Sequence, residues 1–189
     1  MKDKYDALKL ENQLCFPLYA CSKEIVRRYK PYLDEIDLTY TQYIAMMVLW
    51  ERGRINVKDM GALLYLDSGT LTPVLKKLEQ KGYLTRERDR ADERVLNVTI
   101  TEAGEQLKEQ AVDIPRKMGG CIGLSGEDAR ELYRILSQGA CVDGAGMKWP
   151  RYKTVDNIQK TDIMNSYLFK GEFVMIERRN IAVCIVLTL

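Results

Sequence analysis

The chain has 189 residues, 46% of them apolar and 30% charged, and a formal net charge of +2 at pH 7. That balance suits one globular domain with a real core, or one domain plus a tail, and excludes a general polycation, so any nucleic-acid footprint has to be local. Histidine is absent and the cysteines (Cys15, Cys21, Cys121, Cys141, Cys184) are widely spread, which argues against Cys-His or Ser-His catalysis, a zinc site and a disulfide framework, and predicts no cofactor.

The first predicted helix runs from about Leu14 to Tyr29 or slightly beyond, with Asn12 as its cap and Lys30-Pro31 as a weak point. Leu14, Leu18, Cys21 and Ile25 fall on one face. Cys15 then lies in the first turn, where free N–H groups and the helix dipole favour a thiolate. The alternative for this cysteine is a small buried core residue. Pro17 fits a helix start, where a missing N–H does no harm.

A second helix follows Thr39, with Tyr43, Met46, Met47 and Trp50 as its buried stripe and Gly53 as a stop. A short third helix spans Val57 to Tyr65, with Met60, Leu63 and Leu64 inward. Asp67 caps a fourth helix, Ser68 to Lys81, closed by Gly82. Leu71, Val74, Leu75 and Leu78 form its apolar face, and Pro73 points to a late start or a small kink. Strands are expected over Tyr83 to Arg88 and Val95 to Ile100, joined by the charge-dense run Asp89-Arg90-Ala91-Asp92-Glu93-Arg94. Thr101 caps a fifth helix to about Arg116, and Ser125 caps a sixth. Helical periodicity ends after about Leu136, and residues 137–189 read as an atypical tail.

Short helix, turn, second helix with a polar face, then a charged hairpin is the order of a winged helix-turn-helix. The fourth helix offers Ser68, Thr70, Thr72, Lys76 and Lys77 to a major groove. The hairpin carries Arg86, Arg88, Arg90 and Arg94, which suit a narrow, electronegative minor groove. Neighbouring acids such as Asp92 are placed to orient individual arginines. Each piece alone also fits a solvated surface, whereas the ordered combination points to double-stranded DNA.

The run Leu63-Leu64-Tyr65-Leu66-Asp67-Ser68-Gly69-Thr70-Leu71-Thr72-Pro73, with Leu75-Lys76-Lys77-Leu78-Glu79 and Gly82, resembles the recognition segment of the MarR family. The wing Asp92-x-Arg94, followed by Leu96, Thr101 and Gly104, is similar to that family as well. Leu14-Cys15-Phe16-x-Leu18-Tyr19, Tyr29 and Leu38-Thr39-Tyr40-x-Gln42-Tyr43 resemble its organic hydroperoxide repressor (OhrR) subgroup. The resemblance covers Asn12 to about Leu136.

The resemblance implies a mainly α fold with a small β-hairpin wing, dimeric through its terminal helices. It implies a family domain over residues 1–136, with a DNA-binding core at about 54–100 and dimerisation helices at about 12–30 and 102–136. Cys15 becomes the peroxide-reactive thiol, with Tyr29 and Tyr40 as hydrogen-bonding partners across the dimer interface and Tyr19 as a supporting phenol. Cys121 falls in the region where two-cysteine relatives place a resolving thiol; other relatives use a low-molecular-weight thiol. The expected function is an operator-binding repressor, not an enzyme, released when an organic hydroperoxide oxidises Cys15. The alternatives are a repressor released by a small phenolic ligand, with Cys15 structural, and a thiol peroxidase. Neither a membrane partner nor a secretory leader is expected, and the protein reads as cytoplasmic.

Overall fold

The computed structural model describes residues 4–119 and 123–139. These fall into two compact units that divide after Ile114. The first holds helices α1 (Cys15–Asp34), α2 (Tyr40–Arg52), α3 (Val57–Leu64), α4 (Ser68–Gln80) and α5 (Glu102–Ala111), with strands β1 (Arg54–Asn56), β2 (Leu84–Arg88) and β3 (Leu96–Ile100). Helices α6 (Ile114–Gly119) and α7 (Gly126–Gly139) follow. Two short 3-10 turns, Asp6–Leu8 and Leu10–Asn12, precede α1.

The sheet is antiparallel with order β1-β3-β2, and Ile55 pairs with Val98 while Leu84 pairs with Ile100. The three-residue β1 is too short to announce itself by alternation, and it exists because β3 offers an edge. The β2–β3 hairpin is the expected wing, so the fold is a winged helix-turn-helix.

Helix α2 is the hub. Tyr43, Ala45, Met46, Val48 and Leu49 are buried in it, and it packs on α1, α3, α4 and α5. Thr39 closes a capping box with Gln42, each side chain bonding the other's backbone N–H. Met47, expected inside, is 45% exposed. Ala45 to Leu49 would otherwise be five successive inward residues, more than the arc one helix face can bury, and Met47 falls on the far side.

Four boundaries differ from expectation. Asn12 does not cap α1: its side chain donates to the Asp6 carbonyl, and Leu14 occupies the cap position without a side-chain bond. Helix α1 runs through Pro31 to Asp34, because Leu33 beyond the proline is fully buried and Pro31 itself faces solvent. Helix α4 starts at Ser68 with Pro73 inside it, so the start is not late. Helix α5 stops at Ala111, since Pro115 cannot donate the bond that would continue the helix onto Ala111.

Candidate functional site

The helix-turn-helix is built by three local devices. Tyr65 ends α3 in the left-handed region at φ 54°, and the Leu66 N–H returns to the Gly61 carbonyl at 3.0 Å. A Cβ at Gly61 would stand 2.8 Å from the Leu66 carbonyl oxygen, so only glycine lets the turn close. Asp67 then caps α4, accepting from the Thr70 N–H at 2.9 Å and the Thr70 hydroxyl at 2.9 Å. These bonds hold the Asp67 carboxyl below its usual range. Gly61 escaped the sequence reading, because an interior helical glycine gives no local sign of what approaches it.

On α4, Leu71, Leu75 and Leu78 are fully buried, which turns Ser68, Thr70, Lys76 and Lys77 to solvent. Thr70 spends its hydroxyl on the cap, and Thr72, half-buried, donates to the Ser68 carbonyl at 2.6 Å. Ser68, Lys76 and Lys77 therefore form the outward polar face, and the α4 N-terminus presents its first N–H groups beside them.

The wing separates its arginines into two sets. Arg90 and Arg94 are exposed at the tip, flanking Ala91. Asp92 accepts from the Arg94 backbone N–H at 3.0 Å and so shapes the turn; its bond is to the main chain of Arg94, not to a guanidinium. Asp89 braces the tip from inside, accepting from Ala91 N–H and from the Asn97 side chain, each at 2.9 Å. These two bonds lower the Asp89 carboxyl. Arg88 donates to the Glu93 carbonyl across the hairpin. Arg86, placed by sequence among the tip arginines, lies at mid-strand with its guanidinium on Glu79 of α4.

Cys15 and Tyr29 lie towards opposite ends of α1, and Tyr29 pairs with tyrosines of α2. Cys15 is the first residue of the helix and its thiol is exposed. Tyr19, one turn on, is exposed and its ring carries Lys23 Nζ 5.3 Å from the centroid. Tyr29 meets Tyr40 of α2 with ring centroids 4.9 Å apart, and Tyr43 stands 6.0 Å from Tyr29. Burial pushes the Tyr40 phenol up, and burial with Tyr40 beside it pushes Tyr43 up to about 12. Both phenols are therefore protonated donors throughout the neutral range.

Fourteen residues of helix at ~1.5 Å rise separate Cys15 from Tyr29 by about 21 Å. Within one chain the thiol and the tyrosine pair cannot touch. The first half of α1 instead exposes Leu14, Phe16, Leu18 and Tyr19, so the apolar face that begins with Leu14 and Leu18 points outward in the single chain. Cys21 is exposed as well, not packed. Cys121, Cys141 and Cys184 lie outside the described residues.

The organic hydroperoxide resistance transcriptional regulator of Bacillus subtilis (strain 168) is 54% identical over 136 residues, covering 72% of this chain and 92% of that relative. The chain belongs to the MarR family, in its organic hydroperoxide resistance group. MarR-family proteins of this group are DNA-binding transcriptional regulators and not enzymes, and so is this chain. The family model of the SarA/Rot transcriptional regulators matches residues 27–111. The regulator SarZ of Staphylococcus saprophyticus is 45% identical over 127 residues, spanning 67% of this chain and 87% of its own. Among solved structures, reduced AbfR of Staphylococcus epidermidis bound to DNA is 34% identical, with a TM-score of 0.60 over 72% of this chain and 96% of AbfR. AbfR has also been solved in a disulfide form. Among the described residues no helix is long and apolar enough to cross a membrane, and no group of side chains is arranged to hold a metal ion.

Proposed function

We propose that this MarR-family protein is a homodimeric repressor that leaves its operator when an organic hydroperoxide oxidises Cys15. The carrying observation is the separation along α1: an exposed first-turn thiol, and about 21 Å further along the helix Tyr29, paired with Tyr40 of α2. Two copies whose α1 helices pair in opposite directions bring each Cys15 to the other copy's Tyr29 and Tyr40, and cover Leu14, Phe16 and Leu18. The relatives' hydroperoxide resistance and the disulfide form of AbfR support the same reading.

In the sensing step the Cys15 thiolate attacks the distal oxygen of the hydroperoxide. A new S–O bond forms, the O–O bond breaks, and the alkoxide leaves as an alcohol after taking a proton. Sulfur is oxidised to the sulfenic acid and the peroxide is reduced by two electrons. Tyr29 and Tyr40 donate hydrogen bonds to the anionic sulfur, the role left open by the absence of histidine. The sulfenic acid then condenses with a second thiol and releases water. Cys121 of the partner copy and a low-molecular-weight thiol are the two candidates, separated by a Cys121-dependent dimer on non-reducing electrophoresis.

On DNA, α4 enters the major groove with Ser68, Lys76 and Lys77, Thr70 and Thr72 bracing its first turns, and the wing reaches the flanking minor groove with Arg90 and Arg94, the turn held by Asp92. Arg88 supports the wing from its stem. A gel-shift titration on a duplex selected by the reduced protein from a random pool tests the whole reading. Cumene hydroperoxide releases the wild type and leaves Cys15→Ser bound; equal release of both refutes sensing at Cys15.

A further inference from the structure

Arg86 does not behave as a DNA-facing arginine. Its side chain is only 19% exposed and forks onto one carboxylate oxygen of Glu79, Nε at 2.9 Å and Nη2 at 2.6 Å. The other oxygen accepts the Arg86 backbone N–H at 3.1 Å. Glu79 thus uses both oxygens on a single residue of β2, and joins the last turn of the recognition helix to the stem of the wing. Such charge-assisted, forked bonds fix orientation as well as distance.

Beyond Arg86 the hairpin is stiff. The Asp89 N–H bonds the Val95 carbonyl at 2.8 Å, and Asn97 holds the Asp89 carboxylate at 2.9 Å. A stiff hairpin acts as a lever: from Arg86 to Arg90 it extends roughly 13 Å at ~3.3 Å per residue. A rotation of about 10° at its base moves the tip by roughly 2 Å, a third of the ~6 Å width of a minor groove.

We propose that Glu79 is a positioning residue for DNA binding, one that sets the reach of the wing relative to the recognition helix without touching DNA. Arg86 is its other half and not a groove contact. The inference rests on the reading that Arg90 and Arg94 meet the DNA flanks, and the test keeps the two apart.

Hydroxyl-radical footprints and affinities are measured on the selected duplex for wild type, Glu79→Ala, Arg86→Ala, their double variant and Arg94→Ala, with helical circular dichroism and thermal melts alongside. Glu79→Ala and Arg86→Ala are each expected to weaken binding about tenfold and to lose flank protection while central protection stays; the double variant is no worse than either. If Glu79→Ala binds as tightly as wild type with its flanks protected, or if Arg86→Ala is further damaging in the Glu79→Ala background, the positioning role is overturned. Loss of flank protection in Arg94→Ala but not in Glu79→Ala sinks this inference alone. Intact flanks in Arg94→Ala sink the reading of the wing. Should Glu79→Ala fail to fold, Glu79→Gln keeps the acceptor for the Arg86 N–H and loses the ion pair. Flank protection between those of wild type and Arg86→Ala supports the role, and undiminished protection overturns it.

Discussion

The Trp50 indole N–H donates to the Gly104 carbonyl at 2.8 Å and so fastens the end of α2 to the first turn of α5. Gly104 also lies against the Tyr83 backbone: a Cβ there would stand 2.2 Å from the Tyr83 carbonyl oxygen and 2.8 Å from Ile100 Cγ1. Gly104→Ala therefore forces α5 off the sheet and costs about 2–3 kcal/mol in urea unfolding. Trp50→Phe keeps most of the ring contact with Tyr43, loses the one hydrogen bond and costs about 1 kcal/mol. A Gly104→Ala melt superimposable on wild type refutes the close approach.

The Asp67 cap carries a pH signature. Its bonds to Thr70 hold the folded-state pKa below the ordinary carboxylate value of about 3.9. A depressed pKa stabilises fully above the unfolded value and fades as pH falls through the folded one. Asp67→Asn should lower the melting temperature at pH 7 relative to wild type, with the gap narrowing below about pH 4. A gap that is constant from pH 7 to pH 3 contradicts the assignment.

Tyr29→Phe and Tyr40→Phe separate chemistry from packing, because each keeps its ring in the pair at 4.9 Å. Loss of one hydrogen bond to a charged sulfur, about 1.5 kcal/mol, slows Cys15 oxidation about tenfold. Burial holds the Tyr40 phenol protonated, so its donor is present wherever the rate is measured in the neutral range. Sulfenic-acid trapping at Cys15 under cumene hydroperoxide measures it, and unchanged rates in both variants remove the tyrosines from the sensor.

Lys81, just after α4, bonds Asp37 in the turn between α1 and α2, with Nζ to Oδ2 at 2.7 Å. The Asp37 side chain is 87% exposed, so water and salt screen the pair. A double-mutant cycle between Lys81→Met and Asp37→Asn should give a coupling below about 1 kcal/mol at low salt that vanishes near 1 M salt. A larger, salt-insensitive coupling marks this tie as more than a surface ion pair.

Local signals carried much of this protein. The Asp67 and Thr101 caps, Gly82 after α4, and the alternation of Val98 and Ile100 are read from a few adjacent residues, because capping bonds and side-chain periodicity are local physics. So are the positions of Cys15 at a helix start and of a polar face on α4. The misreadings have nonlocal causes. Pro31 stays within α1 because Leu33 finds a buried site, and β1 forms because β3 is there to pair with it. Asn12 is the exception, since it bonds Asp6 only six residues back in place of the helix it precedes.

The sequence by itself determined a winged-helix order with a thiol at the head of its first helix, since periodicity and caps are written along the chain, and its resemblance to the MarR family pointed to a regulator. Only the tertiary structure decided that Tyr29 packs against Tyr40 but far from its own Cys15, that Gly61 and Gly104 are required by backbones approaching from elsewhere, and that Arg86 belongs to Glu79 and not to the wing tip. The reason is common to all three: each depends on which segments fold against one another, and no run of neighbouring residues records that.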